Sequence, residues 1–199
     1  MKSIALTAAA LALSATAALA APIIGEPAPA FSAVDTAGKT RSLSEFKGKT
    51  VILEWTNDGC PYVKKHYNAG NMQKLQQEAA ADGAVWLSII SSAPGKQGYV
   101  DAAGANQLTA SRGAKPAAVL LDPKGDVGRA YDAQTTPHMF VIDKTGVLRY
   151  MGALDDQPTT DASTLPKARN YVKEALVSVK AGAKVAETAT DPYGCSVKY

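Results

Sequence analysis

Val51-Ile52-Leu53-Glu54-Trp55-Thr56-Asn57-Asp58-Gly59-Cys60-Pro61-Tyr62-Val63 decides how this chain is read. The first residues are strand formers, and they run into a polar turn containing glycine, which predicts a strand ending near Thr56. Pro61 lacks a backbone N–H and holds φ near the helical value, so it suits the first turn of a helix. The residues from Tyr62 to Ala81 read as helix, interrupted at Asn68-Ala69-Gly70-Asn71; in the second part Met72, Leu75 and Ala79 share one apolar face. Cys60 is thereby placed at a strand-to-helix junction. The partial positive charge of a helix N-terminus favours thiolate over thiol, which lowers a cysteine's pKa and makes it a nucleophile. The competing reading makes Cys60 half of a structural disulfide with Cys195, the only other cysteine.

Working outward, Ala84 to Ser91 and Ala117 to Leu121 are nearly continuous apolar runs, as expected of strands buried on both faces. Tyr99 to Ser111 reads as a helix and Asp126 to Tyr131 as a short helical turn. Thr136 to Asp143, the turn Lys144-Thr145-Gly146 and Val147 to Gly152 form a hairpin. Upstream, Phe31 to Asp35 and Thr40 to Leu43 make a smaller hairpin, followed by a helical turn over Ser44 to Lys49. Leu165 to Ala181 reads as the last helix. The order of elements gives an α/β fold: a mixed central sheet with helices on both faces and an N-terminal β-hairpin.

The bulk properties exclude several classes. Lys2, the apolar run Ile4 to Leu19 and the small residues at Ala18 and Ala20 predict a signal peptide over residues 1–20. Export follows from it, to the periplasm or the cell exterior, and so does a compartment in which two cysteines can pair. No cysteine stands directly after the expected cleavage site, so a lipoprotein anchor is not expected, and no later stretch reaches the roughly 20 apolar residues needed to span a bilayer. The formal charge of +3 is carried by scattered lysines and arginines, which is no nucleic-acid footprint. The expected organisation is one domain over residues 21–181 and a tail over residues 182–199 that carries Cys195.

A strand ending in Trp55, a polar turn and then Cys60-Pro61 resembles the active-site corner of thioredoxin-fold redoxins. Thr136-Pro137, opening a strand that runs into Ile142-Asp143, resembles their cis-proline strand. Asn57 to Val63 and Gly128-Arg129-Ala130-Tyr131 are most similar to the exported, peroxiredoxin-like branch, related to the alkyl hydroperoxide reductase and thiol-specific antioxidant proteins. The resemblance implies a thioredoxin-like three-layer sandwich and a thiol-dependent oxidoreductase with Cys60 as nucleophile. It further implies a cis Thr136–Pro137 bond that presents backbone to a substrate. Val63 stands where thioredoxins carry their second cysteine, and Leu53 and Asn57 stand where peroxiredoxins carry proline and threonine or serine.

Peroxide reduction is the first expectation, because Val63 removes the nearby second thiol and leaves Cys195 as the intramolecular candidate to resolve a sulfenic acid. An external thiol protein would then be the reductant. Protein thiol–disulfide exchange is the alternative within the same class. A non-enzymatic binding domain with a structural Cys60–Cys195 disulfide is the alternative from another. Asn57, Pro61, Glu54, Arg129 and His138 are candidates to line the site, with Glu54 as a possible proton acceptor. Arg129 reads equally well as a solvated side chain. His66 and His138 read first as histidines without a catalytic role, and no metal or cofactor is expected.

Overall fold

The computed structural model describes residues 21–199, so the expected signal peptide lies outside the described residues. The lead-in from Ala21 passes into an antiparallel hairpin, β1 (Ser32–Asp35) and β2 (Thr40–Ser42), then a 3-10 turn over Leu43–Phe46. The central strand β3 (Val51–Trp55) follows, fully buried along its length. Next come α1 (Pro61–Asn68), α2 (Asn71–Ala81), β4 (Val85–Ile90), α3 (Ala102–Ser111), β5 (Ala118–Leu121) and α4 (Asp126–Ala130). The chain continues through β6 (Thr135–Thr136), β7 (His138–Ile142), β8 (Leu148–Gly152), α5 (Tyr171–Lys180) and β9 (Cys195–Ser196).

Seven strands form one mixed sheet in the order β2-β1-β5-β4-β3-β7-β8. The three middle strands β5, β4 and β3 run parallel, while β7 and β8 add antiparallel on one side and β1 and β2 on the other. Alternation along β3 divides the core. Val51, Leu53 and Trp55 face a cluster with Phe31, Tyr131, Phe140 and the α4 residues Val127 and Ala130. Ile52 faces the other cluster, with Met72 and Leu75 from α2, Trp86, Val141, and Val172 and Ala175 from α5. Each layer is therefore sealed by apolar residues that the period-2 pattern of the strand sends in opposite directions. Trp55 is fully buried, its ring 5.5 Å from Tyr131 and 5.1 Å from Phe140. No helix among the described residues is long and apolar enough to cross a membrane.

Three elements differ from the sequence reading, each for a local reason. The third helix starts at Ala102 rather than Tyr99, because the Asp101 side chain accepts the Gly104 N–H at 2.8 Å and caps it. The last helix starts at Tyr171 rather than Leu165. Pro166 sits in a separate 3-10 turn over Ala162–Lys167, and Asn170 Oδ1 accepts the Lys173 N–H at 2.8 Å as the helix cap. The strand read from Thr136 to Asp143 is broken at Pro137, which has no N–H to give to a ladder, and Thr136 leaves the main sheet for β6. The tail is also more structured than a bare extension. It forms β9 against β6 and a parallel bridge between Ala189 and Met151.

Candidate active site

Cys60 is the N-cap of α1, with extended backbone (φ −84°, ψ 120°) and Pro61 at the first helical position. The turn that delivers it is held by Asn57, whose Oδ1 accepts the Gly59 N–H at 2.8 Å while Nδ2 donates to the Gln97 carbonyl at 3.2 Å. Gln97 Nε2 returns a hydrogen bond to the Gly59 carbonyl at 3.2 Å. Asn57 therefore shapes the turn and spends its amide on backbone partners, away from the sulfur. Cys60 itself is fully buried and donates its S–H to the Thr136 carbonyl at 3.0 Å.

The Thr136–Pro137 bond is cis, as the resemblance implies. Across from Thr136 lies Cys195: β6 and β9 pair antiparallel, with Thr135 opposite Ser196 and Thr136 opposite Cys195. Thr136 Oγ1 donates to the Cys195 carbonyl at 3.4 Å, and the Val197 N–H donates to the Gln134 carbonyl at 2.9 Å. Both cysteines are thiols here, Cys60 buried and Cys195 half-buried. Burial pushes the Cys60 thiol up, but hydrogen bonds from the Cys195 thiol, the Val63 N–H, Thr136 and the Cys195 N–H outweigh it and draw the thiol below its ordinary range. Burial and its role as donor to Cys60 push the Cys195 thiol up to about 11. Cys60, at the helix N-terminus, is thus the more acidic thiol of the pair and Cys195 the less acidic one.

The other candidates are placed apart from this pair. Glu54 is fully buried and accepts Trp86 Nε1 at 2.7 Å, Tyr67 Oη at 2.8 Å and Ser88 Oγ at 2.9 Å. Burial nevertheless raises its carboxyl above the ordinary value, against the lowering effect of those donors. Its partners tie β3 to β4 and to the far end of α1, which makes it a joint of the interior. Arg129 lies at the tail: its guanidinium stacks 4.7 Å from the Tyr199 ring and donates to the Lys124 carbonyl. His138 is buried against Phe140, with ring centroids 4.5 Å apart, and burial holds its pKa down at about 4. His66 is buried in α1, where its Nδ1 meets Asn71 and its Nε2 faces Asp155 at 4.0 Å. Among the described residues no group of three or more His, Cys, Asp or Glu side chains is arranged to hold a metal ion.

Sequence reasoning missed the machinery that lays the tail down. Thr190 Oγ1 shares a hydrogen bond with Tyr150 Oη at 2.7 Å and accepts the Ala153 N–H at 2.9 Å, Tyr193 Oη bonds Asp155, and Tyr199 Oη donates to the Ala133 carbonyl at 2.8 Å. The signal available was the density of side-chain donors in Thr188 to Tyr199, which resembles a docking segment more than a spacer.

The Redoxin family matches residues 23–171. The chain belongs to that family. The thioredoxin-like protein YneN of Bacillus subtilis is 31% identical over 126 residues, covering 63% of this chain and 68% of that protein. Among solved structures, a hypothetical protein from Sinorhizobium meliloti superposes with a TM-score of 0.76 at 22% identity, covering 90% of this chain and 96% of that chain. The thioredoxin domain of a thiol-disulfide oxidoreductase from Bacteroides vulgatus superposes with a TM-score of 0.53 at 21% identity, over 73% of this chain and 96% of that domain. At such identities the solved structures show the fold, a thioredoxin-like mixed sheet, and the family match makes this chain a thioredoxin-fold redoxin.

Proposed function

We propose that this redoxin is a thiol-dependent oxidoreductase that reduces peroxides, with Cys60 as the nucleophile and Cys195 as the resolving thiol. The observation that carries the reading is the pairing itself: a buried Cys60 at a helix N-terminus, its thiol drawn below the ordinary range, within hydrogen-bonding reach of Cys195, whose thiol is pushed up. The Cys60 thiolate attacks one peroxide oxygen, the O–O bond breaks, and the departing alkoxide or hydroxide takes a proton. Cys60 is left as a sulfenic acid. Cys195 then attacks the Cys60 sulfur; its proton goes to the leaving hydroxide, and water departs as the Cys60–Cys195 disulfide closes. An external thiol protein, supplying two electrons, restores both thiols. Thr136, before the cis Pro137, sets its carbonyl against the Cys60 sulfur, and Pro61 starts the helix that favours the thiolate.

Export belongs to the same reading and rests on the charged and apolar pattern of residues 1–20. The test is stoichiometric. Reduced protein treated with one equivalent of hydrogen peroxide is expected to lose two hydrogens by mass spectrometry, with Cys60 and Cys195 joined. The Cys195→Ser variant is expected to yield a sulfenic acid on Cys60 that a dione reagent captures. Thiols that persist through peroxide treatment would refute peroxide reduction. A second reading, exchange with protein disulfides, is favoured by β6, an edge built for pairing with an extended segment. It predicts that the reduced chain cleaves a protein disulfide while leaving peroxide untouched.

A further inference from the structure

The tail does more than deliver a thiol: it fills a strand edge. Two-residue β6 stands outside the seven-stranded sheet, and β9 is its strand partner among the described residues. Pairing of this kind is strand addition, in which backbone hydrogen bonds hold the segment and the side chains along it set which segments fit. Here the limiting position is Gly194, the residue before Cys195. Its φ is +143°, a conformation that L side chains rarely adopt. A Cβ built there would fall inside the van der Waals radius of the Thr136 carbonyl. The Thr136 carbonyl cannot retreat, because it also accepts the Cys60 S–H. A second glycine lets the approach happen upstream: Gly152, at φ +142°, has no room for a Cβ beside Thr190. The remaining anchors are the Tyr193–Asp155 bond, the Lys198 carbonyl accepting the Ala93 N–H at 2.7 Å, and Tyr199 against α4.

We propose that Gly194 is the specificity determinant of this edge. It makes the chain's own tail the resident occupant, in a register that no cysteine-bearing segment with a side chain at the preceding position can share. Disulfide-bearing proteins then reach Cys60 by displacing the tail, and those that present glycine immediately before their cysteine do so best. The inference rests on Cys60 as the nucleophile and is independent of whether peroxide is a substrate.

The test uses the full chain with Cys195→Ser, which leaves Cys60 as the sole thiol. The probes are two ten-residue peptides, each activated at cysteine as its thionitrobenzoate disulfide. One has the sequence of residues 190–199, and the other carries alanine in place of the glycine. The Cys60 thiolate attacks the peptide cysteine sulfur, the bond to thionitrobenzoate breaks, and the coloured thiolate leaves with the electron pair. The glycine peptide is expected to react about tenfold faster than the alanine peptide, the ratio that backbone strain of this kind produces. Adding Gly194→Ala to the protein is expected to loosen the tail and raise both rates by a similar factor. Equal rates for the two peptides, or no gain from Gly194→Ala, would overturn the proposal. The symmetric small disulfide dithiobis(nitrobenzoate) separates the two readings. If Cys60 of the Gly194→Ala protein is inert even to that reagent, the nucleophile reading falls. If it reacts while the two peptides stay equal, the nucleophile stands and the role of Gly194 falls alone.

Discussion

The corner around Cys60 and the tail around Cys195 meet at one hydrogen-bonded pair, yet they are built in opposite ways. The corner is mostly local: a buried strand, an asparagine-held turn and a proline-started helix lie within residues 51–68, with Gln97 bracing the turn from outside. The tail is almost wholly nonlocal. Its partners are Tyr150, Ala153, Asp155, Gln134, Thr136, Ala93 and Ala133, scattered between residues 93 and 155. A local motif places its cysteine at a helix terminus that no distant mutation easily removes, although hydrogen bonds from Thr136 and Cys195 also draw its thiol down. A docked segment positions its cysteine and lends Cys60 hydrogen bonds, and each anchor can be taken away separately. The two cysteines should therefore fail differently.

The largest effect separates them outright. Cys60→Ser is expected to lower peroxide turnover by about 10³-fold or more, as loss of a covalent nucleophile does. Cys195→Ser is expected to slow the first attack, because the thiol's hydrogen bond to Cys60 is altered, and to stop the cycle there, so that a stopped-flow trace shows one equivalent of peroxide consumed and then none. Equal loss of the first turnover in both variants would mean that Cys60 cannot attack at all without Cys195.

The next effect is on stability, at the seam between the regions. Burial holds His66 at a pKa of about 4, with Asp155 pulling the other way and Lys65 adding to the depression. Burial holds His138 at about 4 as well, opposed by Asp132. In the unfolded chain both imidazoles titrate near 6.5, so between pH 6.5 and 4 the unfolded state binds more protons. Their contribution is thus complete above about pH 6.5 and is lost as the pH falls towards 4, at about 3 kcal/mol for each histidine. Urea denaturation at pH 7.5 and 5 captures about 2 kcal/mol of it for each histidine, and His66→Gln should flatten the difference. An unchanged pH dependence would show that Asp155, which Tyr193 of the tail engages, keeps His66 protonated in the fold.

What the sequence disclosed follows the same division. The strand, the turn, the helix start and its break at Ala69-Gly70 are all visible in residues 51–81, because each is fixed by neighbours a few positions away. Pro137 could be read as an interruption only with a family in mind, since a proline at a strand's start is equally ordinary. Arg129 is instructive: its residue type allowed a site role and a solvated one alike, and the choice depended on where the tail came to rest, which claims it through Tyr199. Glu54 shows the converse. Its burial in β3 was legible from the apolar run, whereas its partners Tyr67, Trp86 and Ser88 come from three separate elements and could not be listed in advance by spacing.

A smaller effect tests whether the tail opens as one piece. Thr190→Val removes hydrogen bonds to Tyr150 and Ala153 while keeping the shape of the side chain. The expected cost is about 1–2 kcal/mol, mostly in the docking of the tail rather than in the sheet. Hydrogen exchange at the amides of the tail, Val197 included, should accelerate by about tenfold, with the β3 and β4 amides unmoved. Acceleration confined to residues near Thr190 would mean that the Gly194–Cys195 segment holds its edge without the upstream anchor.

The smallest expected effect lies at the far end of the same segment. Arg129 covers the Tyr199 ring from a half-exposed surface, and a cation–π contact at such a site is worth about 0.5–1 kcal/mol. Arg129→Ala should leave the urea midpoint almost unchanged and raise the alkylation rate of Cys60 severalfold at most, because Tyr199 still donates to the Ala133 carbonyl. Deleting Tyr199 removes both holds and should raise that rate further. If Arg129→Ala instead abolishes turnover while the tail stays docked, the guanidinium reaches the reacting atoms during the cycle. The corner would then borrow a charge from the region that covers it, and the separation of local chemistry from distant positioning would no longer hold.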